Sequence, residues 1–117
     1  MKTIALALLT ACVVSTGAGA GFKDGNKLFA ECTSPISSLS YGDCLGYVQG
    51  VSDALGTVVV GCVPNGVKLS QVKNVVVEHL RKNPAERHTA AAALTIAAIM
   101  EAWCPLKSNT PIVHFKK

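Results

Sequence analysis

Apolar residues recur at helical spacing in four segments of the chain, and turn-forming residues separate these segments. In the first segment, DGNKLFAEC, Leu28, Phe29 and Cys32 fall on one side of a short helix whose start Asp24 or Asn26 can cap. The residues PISSLSYG then interrupt the pattern. The pattern therefore predicts a first helix that ends near Cys32.

The second helix is predicted from about Tyr41 to Gly56. Its apolar positions follow an i, i+4, i+7, i+11 spacing, which places four residues on one stripe: Cys44, Val48, Val51 and Leu55. The following run TVVVGC is rich in β-branched residues, but no partner strand is evident elsewhere. We therefore predict that this run is a helix end or an extended connector leading into the turn VPNG.

The third and fourth helices meet at a proline. The third begins at residue 69 or 70, where Ser70 is a candidate N-cap, and its apolar face consists of Leu69, Val72, Val76 and Leu80. It ends at Asn83, because a residue that precedes a proline disfavours helical geometry. The fourth helix begins either there, with Pro84 at its first position, or later, with Thr89 as its cap. Its predicted buried positions, before the stop at Pro105, are Ala92, Ile96, Ile99 and Trp103.

These segments predict an all-α fold, a small four-helix, antiparallel bundle-like domain, because short loops favour antiparallel neighbours. The second helix carries Gly46 and Gly50 one turn apart. Glycine inside a helix is unfavourable unless close packing requires it. We expect both glycines to pack against the alanine-rich fourth helix, at Ala91, Ala98 and Ala102.

Residues 1–20, MKTIALALLTACVVSTGAGA, have the features of an export signal: one charge, an apolar run, and an A-x-A site that ends at Ala20. We predict cleavage after Ala20, which leaves residues 21–117 as one exported helical domain. A retained membrane anchor is the weaker alternative, because the apolar run is shorter than the roughly 20 residues of a spanning helix. The sequence LTAC also fits a lipoprotein signal with a lipid anchor at Cys12, and this alternative stays open.

Four cysteines lie outside this leader: Cys32, Cys44, Cys62 and Cys104. An even number in an exported chain favours two disulfides, and a metal site has little support because no C-x-x-C pair is present. The predicted second helix separates Cys44 from Cys62 by roughly 22 Å, which is too far for a disulfide. The antiparallel topology instead predicts Cys32–Cys44 at one end of the domain and Cys62–Cys104 at the other.

The formal net charge of +4 is spread along the chain, and aromatic residues make up 5% of it. A nucleic-acid surface usually needs a concentrated basic patch with aromatic side chains, so this class of partner is disfavoured.

Candidate catalytic groups are sparse. The segment EHLRKNPAERH gathers four of them, Glu78, His79, Glu86 and His88, but their spacing matches no metal motif. Asp43 and Asp53 alone do not define a catalytic carboxylate pair, and no cysteine–histidine signature is present. We therefore predict a protein that is not an enzyme, with no catalytic residue, metal or cofactor.

Three ordered stretches, CLGYVQGVSDA, CVPNGVKLSQVKNVVVEHLRKNP and RHTAAAALTIAAIMEAWCP, resemble the Tai family of periplasmic immunity proteins, which neutralise peptidoglycan-amidase toxins of type VI secretion systems. The resemblance covers residues 28–105. Its most specific elements are C-x-G-Y-x-x-G-x-x-D, starting at Cys44; C-x-P-x-G, starting at Cys62; the Asn83-Pro84 boundary; and Trp103-Cys104. The closing order Trp-Cys-Pro departs from the order that many members share.

The resemblance implies a helical periplasmic protein, often a homodimer, that binds a peptidoglycan amidase effector and occludes its active-site cleft. We expect its contacts on the loop VPNGVK with the third helix and on the corner KNPAERH, because basic and amide groups can meet an acidic cleft. The candidate partner-binding residues are Asn65, Lys68, Gln71, Lys73, Arg87 and His88.

Two other functions fit a small exported helical protein. One is a stress chaperone that exposes apolar surface at low pH, although three histidines and seven acidic residues offer few titrating groups for such a switch. The other is a scaffold or binding module without a toxin partner.

Overall fold

The computed structural model describes residues 21–104, which form four α-helices and no β-strand. The helices are α1 (Gly25–Cys32), α2 (Leu39–Val58), α3 (Leu69–Lys82) and α4 (Ala91–Trp103), and a 3-10 turn (Pro84–Glu86) lies between α3 and α4. The predicted all-α fold is confirmed. The predicted export signal, the alternative lipid anchor at Cys12 and the segment after Cys104 lie outside the described residues.

The first two helices begin with the side-chain caps that short polar residues provide. The Asp24 carboxylate accepts a hydrogen bond from the backbone N–H of Lys27 at 2.8 Å, which confirms Asp24 as the cap of α1. The Ser38 hydroxyl accepts one from the N–H of Tyr41 at 3.1 Å. Because Ser38 acts as the cap, α2 starts two residues earlier than predicted, and it also continues two residues further, to Val58.

The predicted start of α3 at residue 69 is confirmed, but Ser70 is not its cap. Lys68 occupies the cap position, and its backbone N–H donates to the side-chain oxygen of Gln71 at 2.8 Å. Ser70 therefore lies inside the helix. The predicted end at Asn83 is confirmed, because α3 stops at Lys82, directly before the Asn83-Pro84 step.

Both predicted starts of α4 are wrong. Asn83 and Pro84 lead into a single 3-10 turn, and the cap position of α4 is Ala90, which has no side-chain acceptor. Backbone pairing replaces the cap: Ala90 forms an isolated antiparallel bridge with Asp24, and the N–H of Ala91 donates to the carbonyl of Lys23 at 2.9 Å. A contact distant in sequence therefore fixes where α4 begins.

The core lies where the four helices meet. Its largest fully buried side chains are Leu28, Leu80, Ile99, Val48, Val76, Thr95 and Cys44. The predicted buried face of α3 is largely confirmed, with Val77 added to it. The predicted apolar stripe of α2 is only partly right. Cys44 and Val48 are buried, but Val51 and Leu55 are half-buried.

The buried face of α4 is rotated from the predicted one. Its buried residues are Ala91, Leu94, Thr95, Ala98 and Ile99. Ile96 is instead 37% exposed. Nearly every position of this helix is apolar or alanine, so its pattern does not mark one face, and packing against the other helices decides which side is buried.

The cysteine pairing predicted from the topology is confirmed. The Cα atoms of Cys32 and Cys44 are 5.0 Å apart, and those of Cys62 and Cys104 are 5.3 Å apart. One disulfide joins the end of α1 to the first half of α2. The other joins the α2–α3 loop (residues 59–68) to the residue that follows α4. Each end of the domain therefore contains one disulfide.

The expected packing of Gly46 and Gly50 against α4 is wrong. Among the described residues, a Cβ atom added at either position would have no neighbouring atom within 4 Å, so neither glycine packs closely against α4. The close approach occurs at Gly25, where an added Cβ would lie 2.8 Å from the carbonyl oxygen of Arg87 and would also overlap the side chain of Leu94. Glycine is required in α1, at its contact with the corner before α4, rather than in α2.

Candidate functional site

The α2–α3 loop presents two of the predicted contact residues to solvent. Asn65 and Lys68 are both exposed. The loop has a defined shape, because Gly61 and Gly66 adopt positive φ angles of 77° and 90° and Cys62 is fixed to Cys104. The two turns and the disulfide therefore constrain the loop backbone that carries these polar groups.

The two predicted contact residues within α3 already have intramolecular roles. The side-chain oxygen of Gln71 accepts the hydrogen bond from the Lys68 N–H that starts the helix. The ammonium group of Lys73 lies 5.5 Å from the centre of the Tyr41 ring, within the range of a cation–π contact. These contacts orient both side chains along the α2–α3 surface.

The corner before α4 is built around Arg87. Its Nε donates to the carbonyl of Leu80 at 2.6 Å, and its guanidinium lies 4.1 Å from the centre of the Phe29 ring. The neighbouring His88 is exposed, and its Nδ1 lies 3.0 Å from the carbonyl of Ala85. Arg87 thus faces the interior of the corner, and His88 faces solvent.

The structure does not bring the two predicted contact segments together. The loop precedes α3 and the corner follows it, and a helix of 14 residues is about 21 Å long. Asn65 and Lys68 therefore lie at one end of the domain, and Arg87 and His88 lie at the other. A single small cleft in a partner can therefore bind only one of these two ends of the domain.

A pocket of about 330 Å³ lies beside the loop, between the second half of α2 and the start of α3. Aliphatic side chains form its walls: Leu55, Val59, Val63, Val67, Leu69 and Ile99. Its polar lining residues include Gln49, Ser52 and Asp53. Next to it in sequence, Val58 and Val60 are 79% and 85% exposed. We call this feature the loop-end pocket.

The sequence contains one signal for this pocket. The run TVVVGC has too many consecutive β-branched residues for a solvated loop, and it follows a helix that buries only Cys44 and Val48 fully. The predicted helix end is confirmed, because α2 includes Thr57 and Val58, and the rest of the run lies in the α2–α3 loop. The exposure of its valines depends on how α2, α3 and the loop pack. Sequence reasoning therefore missed the pocket.

The predicted histidine–glutamate cluster is divided by the fold. His79 Nδ1 lies 3.2 Å from a carboxylate oxygen of Glu101, whereas Glu78 pairs with Arg81 at 2.9 Å. Glu86 and His88 belong to the corner beyond the end of α3. Within residues 21–104, His79 Nε2 is buried without a hydrogen-bond partner, and no group of three potential ligands is placed to hold a metal ion.

Comparison with known proteins identifies one family. The family model described as Rap1a immunity proteins matches residues 24–104, which include all four helices and both disulfides. No curated protein and no solved structure matches the chain. Among the described helices, none combines the length and apolar character needed to cross a membrane.

Proposed function

Because this chain belongs to the Rap1a family of immunity proteins, we propose that it binds and inhibits a peptidoglycan amidase delivered by a type VI secretion system. Proteins of this family confer immunity to type VI effectors, which makes an effector the expected partner and an inhibitor the expected role. The observation that carries the proposal is the family match across residues 24–104. The resemblance of the same helices to the Tai proteins supports an amidase as the effector.

We propose that the α2–α3 loop is the segment that enters the amidase cleft. Asn65 and Lys68 are exposed on it, and the loop is fixed by the Cys62–Cys104 disulfide. A loop constrained by a disulfide loses less conformational entropy on binding than an unconstrained one, so more of its contact energy contributes to affinity. Lys68 adds a positive charge that complements an acidic cleft.

The remaining candidate residues contribute in two ways. Gln71 and Lys73 extend the same surface along α3, where their intramolecular contacts fix their orientation. Arg87 shapes the corner at the other end, where His88 is available to a second contact. The resemblance to the Tai proteins implies a homodimer in many members, so we include dimer formation in the proposal.

We place this inhibition in the periplasm. Rap1a immunity proteins are typically periplasmic, and the first 20 residues have the features of an export signal. Two disulfides are also typical of proteins that fold in an oxidising compartment.

The test uses the oxidised full chain, produced by export with its own leader, and a panel of purified type VI peptidoglycan amidases. Release of soluble peptidoglycan fragments is measured with and without the protein, and complex formation is measured by calorimetry. We expect stoichiometric inhibition of at least one amidase. Lys68→Glu should weaken binding by about tenfold or more, because it opposes the proposed charge complementarity.

Lys82→Glu is the matched control, since this lysine is exposed at the other end of α3 and should leave the affinity nearly unchanged. Equal inhibition by the parent protein and the Lys68→Glu variant would retain the amidase and reject the loop. No inhibition of any amidase would reject the amidase assignment and leave immunity to another class of type VI effector.

A further inference from the structure

The loop-end pocket lies next to the point where the chain continues beyond the described residues. Cys62 lines the pocket and is joined to Cys104, and their Cα atoms are 5.3 Å apart. Residues 105–117 follow directly, with the sequence PLKSNTPIVHFKK. A segment that starts here begins beside the pocket.

The length of this segment allows it to reach the pocket. Residues 105–111 can span at most about 25 Å, which is more than enough to leave Cys104 and turn back. Residues 112–115, IVHF, are the most apolar part of the segment, and Lys116 and Lys117 follow them. Tethering to Cys104 also gives these residues a high local concentration, of millimolar order for a short linker, so a weak contact is sufficient for occupancy.

The pocket offers complementary chemistry to this sequence. Its aliphatic walls suit Ile112, Val113 or Phe115, and its volume of about 330 Å³ is near the lower end of the range for binding pockets. Asp53 lines the pocket, and within residues 21–104 it forms no salt bridge. Its carboxylate can therefore attract a lysine that follows the apolar residues.

We propose that residues 112–115 of the same chain dock in the loop-end pocket, with the two following lysines near Asp53. The proposal does not depend on the identity of the effector. Docking would cover apolar surface beside the α2–α3 loop and would add a tether between the loop, α2 and α3. The chain would thereby protect this end of the domain with its own C-terminal segment.

The experiment is hydrogen exchange of the oxidised full chain, read by mass spectrometry at the amides of residues 112–117. We expect exchange at 112–115 to be at least about threefold slower than in an unstructured peptide of the same sequence. Gly56→Leu adds a bulky side chain to the pocket lining, because Gly56 lines the pocket and has open space around its Cβ position. This variant should remove the protection.

Gly46→Leu is the matched control, because Gly46 is on the same helix with equal open space but does not line the pocket. It should retain the protection, and Asp53→Asn should reduce it. Unprotected amides at 112–115 in the parent protein would overturn the proposal, and so would protection that Gly56→Leu leaves unchanged. Protection that disappears on dilution would also overturn it, because the occupant would then be a second copy.

Discussion

The Arg87 guanidinium lies on the face of the Phe29 ring, 4.1 Å from its centre, and joins α1 to the corner that precedes α4. The same side chain donates to the carbonyl oxygens of Leu80 and Arg81 at the end of α3, at 2.6 Å and 3.3 Å. One arginine therefore connects the corner and the end of α3 to α1, which is distant from both in sequence.

We expect Arg87→Lys to destabilise the protein by about 1 to 3 kcal/mol, even though the charge is retained. Lysine has no planar guanidinium to stack on the ring, and its single ammonium group cannot contact the ring and donate to two carbonyls at the same time. Chemical denaturation followed by circular dichroism measures the loss. Lys82→Ala, at an exposed site on α3, should change stability by less than about 0.5 kcal/mol, and an equal effect of both substitutions would contradict the role of Arg87.

Substitution by alanine should change the stability in opposite directions at an open glycine, Gly50, and at a closely packed one, Gly25. Gly50→Ala should stabilise the protein by about 0.5 to 1 kcal/mol, because the site is helical and open and alanine has the higher helix propensity. Gly25→Ala should destabilise it, because the new Cβ would lie 2.8 Å from a carbonyl oxygen of Arg87. Thermal melts of both variants decide the matter, and a stabilised Gly25→Ala protein would show that α1 can shift away from the corner.

The two disulfides should contribute unequally to stability. They close loops with sequence separations of 12 and 42 residues, for which the chain-entropy relation gives about 3 and about 4 kcal/mol. We therefore expect replacement of Cys62 and Cys104 by serine to lower the free energy of unfolding more than replacement of Cys32 and Cys44. Urea denaturation of the two double variants provides the comparison, and the reverse order would mean that burial of Cys32 and Cys44 outweighs loop closure.

His79→Leu should leave the stability unchanged or raise it by up to about 1 kcal/mol. The substitution removes a buried ring nitrogen, Nε2, that has no partner among the described residues, and an unsatisfied buried group is costly. The lost contact to Glu101 is with a carboxylate that is 75% exposed, where an ion pair contributes little. Urea denaturation checks this, with Glu101→Gln as the control for the lost pair. A loss of more than about 2 kcal/mol would indicate that the imidazole has a partner outside residues 21–104.

Local sequence signals predicted the parts of the fold that depend on neighbouring residues. Asp24 caps α1 because a carboxylate three residues before an N–H can accept its hydrogen bond. α3 ends before Pro84 because proline restricts the residue that precedes it. The cysteine pairs followed from helix lengths and short loops, which already determine which cysteines share an end of the domain.

The candidate site was less predictable. The sequence identified the loop residues Asn65 and Lys68 as polar and basic groups, and the structure places both at the surface. It could not indicate that Arg87 would turn inward onto Phe29, because that contact joins residues far apart in the chain. The loop-end pocket was missed for the same reason, since α2, the loop, α3 and α4 all contribute to it.

The sequence by itself determined the number of helices, the disulfide pairing and the broad class of immunity protein, because periodicity, cysteine spacing and motif order are properties of the chain. Only the tertiary structure decided which face of α4 is buried, where that helix begins and which glycine requires close packing. In α4 almost every residue is apolar or small, so several faces could be buried at similar cost. One of these faces is selected by two contacts between residues distant in sequence. These contacts are the backbone pairing of Asp24 with Ala90 and the close approach of Gly25 to Arg87.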